Sequence, residues 1–484
     1  MKVDLGILNY SIIIMYLVGM MGVGFYFSKK SGNDINTFFK ANGKIPGWAV
    51  GISIFATTSS AITFMSIPAL AYSTNWTMSF NNFAIAAIIP FVVVFIVPFF
   101  RNLNVTSAYE YLEYRFNKKM RLLGSIVFIL FHIFRVAIVI YLPTLALESA
   151  ISINPILIVI SIGILSIIYT FWGGVEGVIW GDVIQGILLL LGAMIIILVL
   201  LFKISHPIMA IHNAVMIDHK LFSRNNFTLS LTNATIFATF FGGIFNNLYQ
   251  YIGSQDVVQR YNTTKNINET NKALYLNAKL VIFVTFLFFI MGSLLYIYYL
   301  QNPNLIGKSI NVDAIVPYFI GTEIPVGLAG LVIAAIFAAS QSTISSSLNS
   351  ISACMTVDIK TSGSHNQIIW AKYTIIIAGI ISTLIALYMT ITDTSQLQIV
   401  FQSLLGLFGG PIAGSFIIGM LSKKVDGNSA FYAVLISVVI LYFITKSDIY
   451  FMYYGAVGVI SSIGLSIILS KLREVTKGII LAKE

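Results

Sequence analysis

Apolar runs of about twenty residues recur along the whole chain, and a helix of that length spans the hydrocarbon core of a bilayer. This repetition leaves few folds open. The 484 residues are 57% hydrophobic and 10% charged, with a mean hydropathy of +0.89. A soluble domain carries about a quarter charged residues and could not bury so much apolar surface. A membrane barrel would show short alternating segments instead. The expectation is an all-α polytopic membrane protein, a single transmembrane domain over residues 1–484.

Apolar runs and their breakers give about thirteen transmembrane helices: 6–28, 46–72, 78–100, 122–150, 154–172, 177–203, 233–253, 273–300, 326–352, 370–391, 396–421, 428–445 and 449–470. Charge tests the count. With the N-terminus outside, twenty of the 28 lysines and arginines fall on inner segments and six on outer ones, while Arg135 and Lys279 lie within spans. Basic residues favour the cytoplasmic side, so the bias supports an N-out, C-in topology. One span more or fewer would scramble it. The first run reads as a span and not a cleavable signal, because it is too long and Lys29-Lys30 follows it directly.

Several functions are excluded early. A net charge of +10 reflects cations gathered on one membrane face, and no soluble segment is long enough to bind nucleic acid. Cys354 is alone, so no intramolecular disulfide forms. An intramembrane hydrolase needs a nucleophile with an adjacent base; the serine-rich span carries no His or Lys, so no enzyme is expected. A sensor would add a signalling domain, and a channel would need a continuous polar pore.

Ionisable groups within spans are expensive and point to function. Arg135 lies mid-span in "FHIFRVAIVIYLP", with His132 on the same helical face. Arg135 would either pair with a fixed carboxylate or carbonyls, or face a water-filled cavity and grip a carboxylated solute through its planar fork. His132 reads as a satisfied core histidine. Asp182, early in the sixth span, would either stabilise a helix N-terminus or bind a cation.

Two hydroxyl-rich stretches interrupt the apolar pattern. In "FAASQSTISSSLNS" (337–350), Ser342, Ser345, Ser346 and Asn349 share one helical face. Such a stripe either helps backbones pack or offers neutral oxygens to a hard cation such as sodium. In "GISIFATTSSAITFMSIPALAY" (51–72), Thr57, Thr58, Ser59, Ser60 and Thr63 compete for backbone hydrogen bonds and predict a broken helix. Non-helical backbone at membrane depth must line a cavity or be buried in protein. Gly242-Gly243, before Asn246 and Asn247, marks either a matching break in a second half or a close-packing point. The second and seventh spans lie five apart, which permits two five-helix units of opposite orientation.

"YTFWGGVEGVIWGDVIQ" (169–185) resembles the GG…W-x-D-x-x-Q hallmark of the sodium:solute symporter family, and "GLVIAAIFAASQSTISSSLNS" (330–350) resembles its second hallmark. Length, span count and orientation agree over nearly the whole chain. The resemblance implies a LeuT-like five-plus-five inverted repeat. The extra N-terminal helix would be 6–28, the first repeat 46–203, the second repeat 233–421, and the two C-terminal helices 428–470.

The resemblance also implies a sodium site made by the carbonyls of Ala56, Ser59 and Ala339 and the hydroxyls of Ser342 and Thr343. A second sodium site would use Asp182 with Ser342, Ser345 and Ser346. Within the family the chain resembles bacterial sialic acid symporters. On that pattern Thr58, Ser60 and Thr63 with Arg135 bind the substrate, and Asn82 and Asn247 add amides. Asn82 and Met78 are both smaller than the residues the resemblance leads one to expect there. The expected activity is sodium-coupled import of an anionic sugar across a bacterial cytoplasmic membrane, by a transporter functional as a monomer. The rival within the same class moves another solute: proline, another carboxylate or an uncharged sugar.

Overall fold

The computed structural model describes residues 6–28, 35–103, 105–150, 154–306, 312–359, 367–392 and 397–481. Lys2, Lys29, Lys30, Lys308, Lys360 and Lys483, which enter the charge bias, lie outside the described residues. Among the described residues the secondary structure is helical, apart from an isolated bridge between Ile45 and Thr264. Among the described residues ten helices are long and apolar enough to cross a membrane, and eleven spans result when one bent pair counts as a single crossing.

The longest helix, Pro155–Lys203, has 49 residues. At 1.5 Å per residue it would measure about 74 Å, more than twice the hydrocarbon thickness. It bends at Gly174, where φ is 54° and ψ is −170°. The expected spans 154–172 and 177–203 are its two arms. The first hallmark motif is therefore a hinge with a specific packing need. The Tyr169 hydroxyl crosses the bend and donates to the Gly177 carbonyl at 2.9 Å. A Cβ at Gly181 would fall directly on that hydroxyl, so only glycine fits.

The expected break in the second span is present. Gly47–Thr58 and Ala61–Ser73 meet at an angle of 58°. The Thr58 hydroxyl donates back to the carbonyls of Ile54 and Phe55, each at 3.0 Å. Ser60 turns extended and its side chain caps the second half through Ile62 N at 3.2 Å. Hydroxyls thus supply the hydrogen bonds that a continuous helix would have made along its backbone.

The other expected break falls elsewhere. Ile236–Ile252 runs unbroken through Gly242-Gly243, and the chain turns at Gly253-Ser254 before the short helix Gln255–Tyr261. Both glycines are close-packing points. A Cβ at Gly242 would stand 2.5 Å from the Met452 carbonyl oxygen, and one at Gly243 would stand 2.9 Å from Asn81 Oδ1.

The serine-bearing helix Leu328–Cys354 lies at the centre. It packs on Pro155–Lys203, Lys118–Ala150 and Gly6–Ser28, and its residues from Val332 to Cys354 are buried. Its hydroxyl face therefore looks into protein. The perimeter is apolar and open: Gly6–Phe27 is only 17% buried within the molecule, and Ile7, Phe202 and Tyr388 are exposed. The last helix, Tyr454–Leu481, continues beyond the expected end at 470. Its charged continuation stays helical, and Arg473 reaches Asp426 at 2.6 Å.

Candidate functional site

The two helix breaks face each other across the serine-bearing helix and the helix that carries Arg135. The first break exposes carbonyls that a continuous helix would have used internally. Ser342 Oγ lies 3.1 Å from the Ala56 carbonyl and 3.2 Å from that of Ala339. Thr343 Oγ1 lies 3.4 Å from Ala339 O and 3.4 Å from Thr57 O. Four of the five atoms expected to bind the first sodium are thus gathered. The fifth residue, Ser59, sits in the break itself with φ −99° and ψ 87°. These donors are neutral oxygens, which suit a hard cation that must also leave.

Asp182 is fully buried, and among the described residues its hydrogen bonds all fall on Oδ2. Ser53 Oγ lies at 2.5 Å, Ser346 Oγ at 3.4 Å and Thr57 Oγ1 at 3.5 Å. Arg260 Nη2 also reaches Oδ2, at 2.9 Å. Oδ1 has no partner. Of the expected second set, the structure joins Ser346 to Asp182. The Ser345 hydroxyl instead bonds back to the Ser342 carbonyl at 3.2 Å, and Ser342 turns toward the first cluster.

Arg260 is a correction to the sequence reading. The span count puts it on the inner segment between 253 and 273, yet it is 2% exposed and pairs with Asp182. A buried carboxylate without a cation would be costly, so this pairing is what permits Asp182 in the interior.

Arg135 is also buried and has partners on both breaks. Its Nη1 lies 3.0 Å from Asp256 Oδ2, and its Nη2 donates to the Thr57 carbonyl at 2.6 Å. Of the two readings from the sequence, the structure shows the pairing with a fixed carboxylate, and it also places Arg135 in the wall of a cavity. Its Nε remains without a partner. Phe401 lies against the guanidinium at 5.6 Å. Asp256 accepts from Ser254 Oγ at 2.5 Å, and Ser254 and Ser347 flank the two ring nitrogens of His132. His132 is thus the satisfied core histidine expected.

All six residues expected to meet the solute, Thr58, Ser60, Thr63, Asn82, Arg135 and Asn247, line one cavity between the breaks. Asn247 Nδ2 is held by Gly243 O at 2.8 Å and Asn81 Oδ1 at 3.1 Å. Sequence reasoning missed Asn81, Gln250 and Gln402 in this wall, together with Asp256 and Arg260 behind it. Gln402 is 5% exposed, and its buried Oε1 has no partner among the described residues. The signal for Asp256 and Arg260 was available. They lie four apart in "SQDVVQRY", a spacing that places opposite charges on one helical face. Met78 stands outside this wall and lies 3.1 Å from the Tyr450 hydroxyl.

Two helix breaks, a neutral oxygen cluster and a cationic cavity define an ion-coupled secondary carrier. The chain belongs to the sodium:solute symporter family, whose model matches residues 38–437. It is 48% identical over 461 residues to the sodium/sialic acid symporter NanT of Aliivibrio fischeri, covering 94% of this chain and 91% of that protein. It is 46% identical over 465 residues to the sodium/sialic acid symporter SiaT of Proteus mirabilis, covering 95% and 94%. A solved sodium-coupled sialic acid symporter, substrate-bound and outward-open, superposes with a TM-score of 0.92 at 44% identity, covering 97% of this chain and 98% of that one. Mhp1, a nucleobase-cation symporter in a closed conformation, superposes at 0.62 with 14% identity, covering 91% and 94%, which shows a shared LeuT-like fold.

Proposed function

We propose that this chain is a sodium-coupled symporter that imports a sialic acid across a bacterial cytoplasmic membrane by alternating access. The observation that carries the solute class is Arg135, a guanidinium on a cavity wall with an N–H still unpartnered. A carboxylate is its natural complement. The hydroxyls of Thr58, Ser60 and Thr63 and the amides of Asn82 and Asn247 suit the polar arms of a sugar acid. Gln402 adds an acceptor for a solute hydroxyl or amide N–H. The names of the relatives support the same solute.

Two sodium ions travel with it. The first is held by Ala56, Ser59, Ala339, Ser342 and Thr343, and it ties the broken helix to the serine-bearing one. The second is held at Asp182 with Ser342, Ser345 and Ser346. Its support is the unpartnered Oδ1 of Asp182. Because Arg260 already sits on Oδ2, a second cation must share or loosen that pairing, which keeps the site weak enough to release its ion. Sodium favours the arrangement with the solute cavity formed, and the solute then biases closure of the outer side. Linkage requires each to raise the affinity of the other by the same factor.

Thirteen passes with N-out, C-in orientation, repeats over 46–203 and 233–421, and function as a monomer complete the proposal. The count is supported by the two arms of the helix bent at Gly174 and by the helix pair around Gly253. The test is uptake of labelled N-acetylneuraminate into proteoliposomes under an inward sodium or potassium gradient. Saturable, sodium-dependent uptake with counterflow is expected. Uptake of proline, a simple monocarboxylate or an uncharged sugar in its place would move the solute assignment within the family.

A further inference from the structure

A second polar cleft, of about 580 Å³, lies apart from the solute cavity where the 35–45 segment meets the end of the second broken helix. Lys40, Arg101 and Lys265 line it, with Asn36, Asn42 and Asn262, and among the described residues no carboxylate does. Arg101 stands in the last turn of a membrane-spanning helix. Its Nη1 donates to the carbonyls of Tyr261 and Thr264 at 2.8 and 2.9 Å, which fixes the guanidinium against the C-terminal end of Gln255–Tyr261. That leaves the Nε–Nη2 edge without a hydrogen-bond partner among the described residues, and Lys265 makes no hydrogen bond there either.

The floor of the cleft is strained backbone. Ala41, Asn42 and Gly43 are successive left-handed residues with φ of 49°, 51° and 65°. Such conformations persist in non-glycine residues only where the surroundings impose them. Here the segment is pinned by Ile45 N on Thr263 O at 3.0 Å and Asn42 Nδ2 on Thr37 Oγ1 at 3.0 Å. The nearby acids, Glu110 beside Lys40 and Glu269 beside Lys265, carry further bonds of their own. Glu110, which acts on Lys40, accepts from Thr106 N at 3.0 Å and lies 3.6 Å from Arg121. Glu269 accepts from Gly47 N at 2.9 Å and pairs with Lys272 at 2.8 Å.

We propose that this cleft binds a phosphate-type anion, the headgroup of an anionic phospholipid being its expected source. The open Nε–Nη2 edge of Arg101 presents two parallel N–H donors that match two phosphate oxygens, with Lys40 and Lys265 as flanking point charges. The cleft lies at the end of a membrane span, the depth at which headgroups lie. An anion seated there bridges the segments that lead into both broken helices, so its occupancy reaches the elements that move in transport.

The test uses the full-length protein in detergent, with bound lipid counted by native mass spectrometry. Phosphatidylglycerol, phosphatidylcholine and inorganic phosphate are offered separately to the unmodified chain, to K40Q/K265Q and to K446Q as a control cation elsewhere. Each cation near an anionic lipid is worth about a fivefold change in affinity, so K40Q/K265Q is expected to bind phosphatidylglycerol about 25-fold more weakly. K446Q is expected to bind as the unmodified chain does. Retention of phosphatidylglycerol over phosphatidylcholine, lost in the double variant, supports the lipid source. Inorganic phosphate that binds alone with the same dependence on the two lysines supports a soluble phosphate source. Equal retention of the two lipids without phosphate binding, or a double variant that binds as tightly as the unmodified chain, overturns the proposal.

Discussion

Replacing Arg135 is the direct test of the solute anchor, and the structure changes what that replacement does. Arg135 is the cationic partner of Asp256, which is fully buried and among the described residues otherwise accepts side-chain hydrogen bonds from Ser254 Oγ at 2.5 Å and, at 3.4 Å, from Gln250. Arg135→Met therefore strands a carboxylate in the interior. Breaking a buried pair from one side costs about 3–5 kcal/mol. The Thr57 carbonyl loses its 2.6 Å donor and keeps the longer contact from Thr343 Oγ1 at 3.4 Å, which adds about 1 kcal/mol. A simple loss of uptake in this variant would not separate damage to the fold from loss of the anchor. A double-mutant cycle does. Asp256→Asn alone removes the charge opposite the guanidinium and is expected to destabilise less, because Asn still accepts from Arg135. The double variant R135M/D256N leaves no buried charge at this pair and is expected to recover most of the stability lost in R135M. The coupling energy should be about 2 kcal/mol or more, as direct neighbours show. Stability is read from the thermal unfolding midpoint in detergent, and function from solute uptake and solute-induced thermal shift. The double variant is expected to fold and bind sodium while failing to bind the carboxylated solute. Additive losses of stability would refute the pairing as the structural link. Normal uptake by the double variant would refute Arg135 as the anchor.

Four further outcomes follow from the geometry. Ser342→Ala removes the hydroxyl 3.1 Å from Ala56 O and should raise half-saturating sodium about tenfold or more, measured as initial uptake against sodium concentration. Asp182→Asn should lower the steepness of that sodium curve, and an unchanged Hill coefficient would remove the second ion from Asp182. Gln402→Leu should weaken solute affinity about fivefold to a hundredfold if its unsatisfied Oε1 meets the solute, with sodium dependence unchanged. Gly242→Val pushes a side chain against the Met452 carbonyl, 2.5 Å from the added Cβ, and should cost about 1–3 kcal/mol in thermal stability without changing the sodium curve.

Much of the architecture was legible because the bilayer imposes lengths and polarities on sequence directly. Apolar runs gave the helices, and the hydroxyls of Thr58 and Ser60 marked the first break by offering the backbone other bonds. For the second break the sequence leaves two readings open, and the close-packing one holds. Gly242-Gly243 carries the same local signal whether glycine frees a turn or lets two helices approach, and only the position of the Met452 carbonyl separates the two. The cavity residues from Thr58 to Asn247 were found one by one, since each is a polar group that needs a reason to sit in an apolar span.

Chain order alone determined a many-helix membrane carrier with a broken second helix, an interior stripe of hydroxyls and a cation within a span. Tertiary structure alone decided who neutralises whom. Arg135 with Asp256 and Asp182 with Arg260 are joined across 121 and 78 residues. A local pattern shows that a charge is present, whereas its energy in a low-dielectric interior is set by the nearest opposite charge, and that neighbour is chosen by packing.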